Sequence, residues 1–380
     1  MVLYIDNSEE LLNICDEINK TTNIIALDTE FIKHNEYFPD ISIIQFSFFN
    51  GKVIQNGIID VIVDNINLEP FFDILNNPNI KKVFHSCSQD LEGLYHLSKK
   101  VPISVDDIQV MAEFCGIRSH SSYQELIKET LKIVVKKDKK IQISNWKERP
   151  LSEKQINYAI GDVDYILEIY VYLLQKLDNN KNYKYYKEEM NERYGKNMIN
   201  NLIKNSWKKM RFKLGNKSYN YIEILKKLCI LREKIAMDNN IIKNLIIPDN
   251  LLKSLINHKP QNIEEWNELF KDEKIMFNKS KSFKGKFISI YLSSDKNIST
   301  DKSNEIQYII DLKDNIMIKK LEEITDYLLS ESKKMNIAPE LLINKMDLSS
   351  YISNSEKLEN VYEKWKIDLF GKRIKEIKER

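Results

Sequence analysis

The chain has 380 residues, room for two or three domains with their own cores, and its 42% hydrophobic and 30% charged residues are those of a globular protein. No run of 18 or more apolar residues occurs, which argues against a membrane span; Asp6, Glu9 and Glu10 argue against a secretory or transit leader, so a cytoplasmic address is expected. The net charge of +2 conceals a division: residues 1–180 hold 18 Lys and Arg against 27 Asp and Glu, and the remainder hold 40 against 29. An acidic first part suits a carboxylate metal site and a basic second part a polyanion-binding surface, although a general preference for Lys would also supply the positive excess.

In chain order, Asn7 and Ser8 are N-cap residues for a helix over Glu9–Ile18, and short β-branched or aromatic runs at Ile24–Leu27, Ile41–Phe48, Val53–Ile54 and Val83–Phe84 read as strands. Leu68–Leu75 has helical spacing. These elements predict an α/β domain with a mixed sheet. From Val105 to Leu177 the pattern is helical, with a fresh start at Ser152, where Gln155 completes a capping box for one helix running to about Lys176. Tyr185–Lys209 reads as a helical connector, and residues 218–275 as amphipathic helices broken at Pro248 and Pro260. A polar linker over about 293–304 precedes a last helical block, Glu305–Arg380. Cys15, Cys87, Cys115 and Cys229 form no C-x-x-C pair and read as small buried side chains.

Asp28-Thr29-Glu30 closes the strand at Ile24–Leu27, and alternation along a strand turns Asp28 and Glu30 to one face. Asp90 opens a helix that begins near Ser88, and Tyr158 and Asp162 stand four apart on a helix, a phenol and a carboxylate on one face. Taken singly, each is an ordinary feature of a strand end or a helix surface. His85 beside this set reads as a hydrogen-bonded structural residue at a strand end. The run Lys136, Lys137, Lys139, Lys140 reads as a solvated loop, with phosphate contact as the rival reading. No G-x-x-x-x-G-K-[ST] loop occurs, so no nucleotide cofactor is expected.

Together and in this order the segments resemble the ribonuclease D family of DEDD exonucleases. The resemblance is carried by Asp28-Thr29-Glu30-Phe31 with Tyr37-Phe38-Pro39 and Ile43-Ile44-Gln45; by His85 through Asp90 to Glu92; by Asp107-Ile108-Gln109 and Ala112 to Gly116; and by Trp146, Arg149-Pro150-Leu151, Gln155, Tyr158-Ala159 and Asp162-Val163. Tyr158, four residues before Asp162, is similar to the DEDDy branch. Fainter likenesses to the helicase-and-ribonuclease-D C-terminal (HRDC) fold lie at Leu228 to Ala236 with Pro248-Asp249, and at Asn336 to Leu342 with Asp347-Leu348 and Trp365. Asn145 stands where the family commonly has Asp, and Asn240-Ile241-Ile242 replaces its usual Pro- or Arg-containing turn.

The resemblance implies a ribonuclease H-like exonuclease domain over 1–180, a helical connector over 181–211, and two HRDC-like domains over 212–292 and 304–380. It implies a monomeric 3′→5′ exoribonuclease acting on tRNA precursors and other structured RNAs with two Mg²⁺ or Mn²⁺ ions. Asp28, Glu30, Asp90 and Asp162 would be the metal ligands and, with Tyr158, the catalytic set, Tyr158 positioning the attacking water; Thr29, Phe31, His85, Lys137 and Lys140 would contact substrate. Hard divalent cations prefer oxygen, which is why such a site is built from carboxylates rather than His or Cys. A DNA-directed exonuclease of the same superfamily and a catalytically silent RNA-binding scaffold are the competing readings.

Overall fold

The computed structural model describes residues 2–32, 34–210, 219–258, 260, 262–271, 281–294, 315–353 and 357–380. The expected domain edges at 212 and 304, and most of the polar linker 293–304, lie outside the described residues. The described residues fall into two compact units: 1–34, 38–198 and 328–342 form one, and 35–37, 199–327 and 343–380 the other. No helix among them is long and apolar enough to cross a membrane.

The first unit is built on a six-stranded mixed sheet of order β1-β4-β3-β2-β5-β6. Its strands are β1 (Leu3–Ile5), β2 (Ile24–Ile32), β3 (Asp40–Asn50), β4 (Val53–Asp60), β5 (Lys81–Phe84) and β6 (Val105–Asp107). The strands β2, β3 and β4 run antiparallel to their neighbours in that set, whereas β1 joins β4, β5 joins β2, and β6 joins β5 in parallel. Ile25, Ala26 and Leu27 are all buried, so β2 is covered on both faces as a central strand must be. Helix α1 (Ser8–Thr21) turns Leu11, Ile14, Cys15 and Ile18 inward, and its Asn7 cap accepts from the Glu10 N–H at 3.0 Å.

The segment from Val105 begins as a strand rather than a helix. The register Lys82↔Val105 to Phe84↔Asp107 adds β6 to the sheet edge, and the Asp107 carboxylate then accepts from the backbone of Ser86, Cys87 and Gln109 at 2.8–3.0 Å. The single helix expected from Ser152 is also divided, into α7 (Glu153–Gly161) and α8 (Ile166–Asn179). At the break, the Tyr165 N–H, which a continuous helix would use internally, donates to the Tyr123 hydroxyl at 2.9 Å.

Residues 328–342, expected with the last helical domain, belong to the first unit for a hydrogen-bonding reason. The Asn182 amide donates to the carbonyls of Phe114 and Met335 at 3.0 and 2.8 Å, and the Ala338 N–H donates to the Glu113 carbonyl at 2.7 Å. Gly116, at φ +77°, lies where an added Cβ would meet the Asn336 side chain at 2.7 Å, so glycine answers both the backbone and the close approach.

The second unit is helical. Helices Tyr219–Asp238, Asp249–His258, Ile263–Phe270 and Lys281–Ser294 enclose a core of Leu228, Ile246, Leu252, Trp266, Phe270 and Phe287. Arg232, fully buried there, donates to the Ile247 carbonyl and pairs with Asp249, each at 2.7 Å. Tyr37 joins this unit through its hydroxyl, which donates to Glu233 at 2.6 Å.

Candidate active site

The site lies in the first unit, where β2 meets the end of α7. Strand alternation turns Asp28 and Glu30 the same way, and the strand is irregular immediately after Glu30, where its register against β3 shifts between Glu30 and Phe31. Asp162 follows the last residue of α7 with its N–H directed back to the Ala159 carbonyl. One carboxylate oxygen each from Asp28, Glu30 and Asp162 lie within 4.8 Å of one another.

Asp90 stands beside this trio. It is buried in the first turn of α3 (Ser88–Ser98), and its Oδ1 accepts from the Thr29 hydroxyl at 2.5 Å. Thr29, expected to contact substrate, is itself buried and spends its hydroxyl on Asp90.

Tyr158 sits one helical turn before Asp162, and its position is built by its neighbours. Its ring meets the buried Trp146 at a centroid distance of 5.9 Å. Ser152 and Gln155 form the expected capping box, and the Gln155 amide also reaches Ser144 Oγ and the Asn145 carbonyl, tying the start of α7 to the preceding loop. Arg149 anchors that loop to the sheet: it donates through Nε and Nη2 to the buried Asp60 at the end of β4 and, through Nη2, to the Ser42 carbonyl. The Tyr4 hydroxyl adds a third hydrogen bond to Asp60.

Burial makes each of the four acids harder to ionise, and the neighbouring carboxylates add to this for Asp28 and Glu30. Burial, then the charges of Asp90, Asp162 and Glu30, push the Asp28 carboxyl well above the usual range. Burial and Asp162 push Glu30 up to about 9. Asp90 rises to about 6 through burial, opposed by its hydrogen bond from Thr29. Burial raises Asp162 too, against the pull of Lys137. A divalent cation would offset the cost of ionising these carboxylates together, and an all-oxygen donor set of this spacing suits Mg²⁺ or Mn²⁺. The Tyr158 hydroxyl is raised by burial and by Asp162, so it remains a neutral phenol at physiological pH.

Lys137 joins the site directly. Its ammonium pairs with Asp162 Oδ1 at 2.7 Å and lies 4.7 Å from the centre of the Tyr158 ring. Lys140 is exposed on α6 (Lys139–Gln142). Phe31 is half-buried beyond the register shift, and His85 has its Nε2 3.1 Å from the Ser121 carbonyl oxygen, with burial lowering its pKa. A cavity of about 540 Å³ adjoins Asp162, lined by Lys136, Lys137, Lys154, Asn157, Tyr158 and Tyr123 among others. Lys154 and Asn157 were not singled out in the sequence, although Lys154 stands four residues before Tyr158, the spacing that marks one helix face. Tyr123 carries no comparable local signal, because it reaches the site from a separate helix.

The family described as 3′–5′ exonuclease matches residues 2–178. The ribonuclease D of Bartonella henselae is 31% identical over 242 residues, 64% of this chain and 58% of that protein. For the ribonuclease D of Jannaschia sp. the identity is 30% over 69% of this chain and 66% of that protein, so these two alignments span less than two thirds of either relative. The ribonuclease D of Zymomonas mobilis is 28% identical over 97% of this chain and 92% of its own length. Among solved structures, Escherichia coli RNase D, an exoribonuclease involved in structured RNA processing, shares the fold with a TM-score of 0.75 at 21% identity, covering 99% of this chain and 98% of that one.

Proposed function

The chain belongs to the ribonuclease D family of 3′–5′ exonucleases, and from that premise we propose that it is a metal-dependent 3′→5′ exoribonuclease releasing 5′-mononucleotides from structured RNAs, tRNA precursors among them. The observation that carries this reading is the convergence of Asp28, Glu30 and Asp162 within 4.8 Å, with Asp90 beside them. A silent RNA-binding scaffold has no use for such a cluster, since the mutual repulsion of buried carboxylates without a cation favours their loss.

In this mechanism Asp28, Glu30 and Asp162, with Asp90 steadied by the Thr29 hydroxyl, are the residues that would hold the divalent ions. Divalent ions held there would supply charge neutralisation for the scissile phosphate and a lowered pKa for the attacking water. Tyr158 orients the attacking water through its hydroxyl, held in place by Trp146 and the Gln155 cap. As a neutral phenol it is a poor base, so its part is orientation rather than proton removal. Lys137 and Lys140, with His85 and Phe31, belong to the substrate side of this reading. The described helices of the second unit are read as HRDC-like and as tracking the RNA backbone, and the protein as a cytoplasmic monomer.

The deciding experiment incubates the protein with end-labelled RNA and DNA of one sequence, with Mg²⁺ and with EDTA. Stepwise shortening of RNA from its 3′ end, stopped by EDTA and restored by Mg²⁺ or Mn²⁺, is expected. Preferential shortening of DNA would make the enzyme a deoxyribonuclease of the same superfamily, and metal-independent degradation would sink the mechanism.

A further inference from the structure

Asp162 already holds one cation, the Lys137 ammonium, where the metal reading would place another. The metal reading assigns it to a divalent ion together with Asp28 and Glu30, yet its Oδ1 already accepts a charge-assisted hydrogen bond from the Lys137 ammonium at 2.7 Å. The lysine is delivered there by anchors on both sides. The Gln124 amide donates to the Val135 carbonyl at 3.4 Å, and the Asp138 carboxylate caps α6 through the Lys140 N–H at 2.9 Å. Its ammonium also lies over the Tyr158 ring, at 4.7 Å from the centroid, which favours a cation at that spot.

An ammonium at hydrogen-bond distance from Asp162 and a divalent ion on the same carboxylate are like charges a few ångströms apart, so each disfavours the other. The stem of Lys137 has somewhere to go, because its residue lines the adjoining cavity with Lys136, Asn157 and Lys154. We propose that Lys137 is an exchangeable counter-cation of the site: it neutralises Asp162 until a divalent ion enters, and entry of the ion moves the ammonium from Asp162 into the adjoining cavity. The inference rests on the metal reading above and adds to it a competition between one side chain of this chain and the ion.

The test measures Mn²⁺ binding by calorimetry to full-length wild type, Lys137→Met, Lys137→Arg and Asp28→Asn. It also follows acetylation of Lys137 in the wild type by mass spectrometry, with and without Mn²⁺, using exposed Lys139 and Lys140 as references. Losing a charge-assisted competitor should tighten Mn²⁺ binding about tenfold or more in Lys137→Met, while Lys137→Arg should stay near wild type. Lys137 should acetylate faster once Mn²⁺ is bound, with the two reference lysines unchanged. Failure of either result overturns the proposal, and so does weaker Mn²⁺ binding in Lys137→Met, which would make the lysine a support of the metal site. If Mn²⁺ binds with an affinity indifferent to Lys137 and is lost in Asp28→Asn, only the counter-cation idea falls. Absence of Mn²⁺ binding in the wild type removes the metal reading as well. Should Lys137→Met fail to fold, the acetylation of the wild type decides alone.

Discussion

Asp28 is surrounded by the charges of Asp90, Asp162 and Glu30, so its replacement has the widest reach of any single change at the site. Asp28→Asn should lower hydrolysis by at least about 10³-fold while RNA binding persists, measured as single-turnover rate against filter-binding affinity. Tyr158→Phe is the subtler probe. It deletes a hydroxyl and keeps the ring against Trp146, so melting temperature should hold while kcat falls about 10²-fold and KM changes little. Protonation supplies a third prediction. Glu30 and Asp90 have raised pKa values in the folded protein, about 9 and about 6, so without metal the folded state binds more protons than the unfolded one across that interval. Their contribution to stability is therefore complete below about pH 4 and is lost as pH rises through the folded-state values. In EDTA the melting temperature should fall between about pH 5 and 9, and Mn²⁺ should flatten that fall; a melting temperature that rises with pH in EDTA would contradict it.

At the scale of elements, the position of α7 at the candidate site depends on its N-terminal approach as much as on the helix itself. Arg149 ties the loop before α7 to Asp60, and Asp60 is almost wholly buried. Arg149→Met removes the charge and leaves that carboxylate, among the described residues, with Tyr4 as its one side-chain partner. A loss of about 3 kcal/mol is expected, read from denaturant unfolding, because an uncompensated buried charge costs more than the pair contributes. The same variant should lower kcat, since the loop that sets Trp146, and through it Tyr158, is loosened. Ser152→Ala, by contrast, removes one cap and should cost only about 1 kcal/mol.

At the scale of the whole molecule, charge and packing divide the chain differently. The carboxylates of the candidate site lie in the first 180 positions and the positive excess in the rest, so a fragment of residues 1–198 should bind RNA with a shallower dependence on salt than the full chain. It should also melt lower, for a separate reason. The first unit includes residues 328–342, and without them Asn182 and the Glu113 carbonyl lose hydrogen-bond partners inside that unit. Equal salt slopes for fragment and full chain would refute the polyanion-tracking role of the basic half, and an equal melting temperature would show that 328–342 contributes nothing to the first unit.

The sequence by itself determined what near neighbours in the chain can encode. The Asn7 cap, the Ser152–Gln155 box, the shared face of Asp28 and Glu30, and the one-turn spacing of Tyr158 and Asp162 all depend on separations of two to four residues, where backbone geometry alone fixes who meets whom. The order of the acids also pointed to the family. Tertiary structure decided the rest. Val105–Asp107 becomes a strand because β5 offers an open edge, and the helix from Ser152 stops at Gly161 because Tyr123, from another helix, takes the hydrogen bond that continuation would have used. Lys137 meets Asp162, and 328–342 joins the first unit, through contacts across 25 to more than 150 residues. Such pairings leave no periodic trace in the sequence, since their energy is collected only after the intervening chain has folded and closed the loop between them.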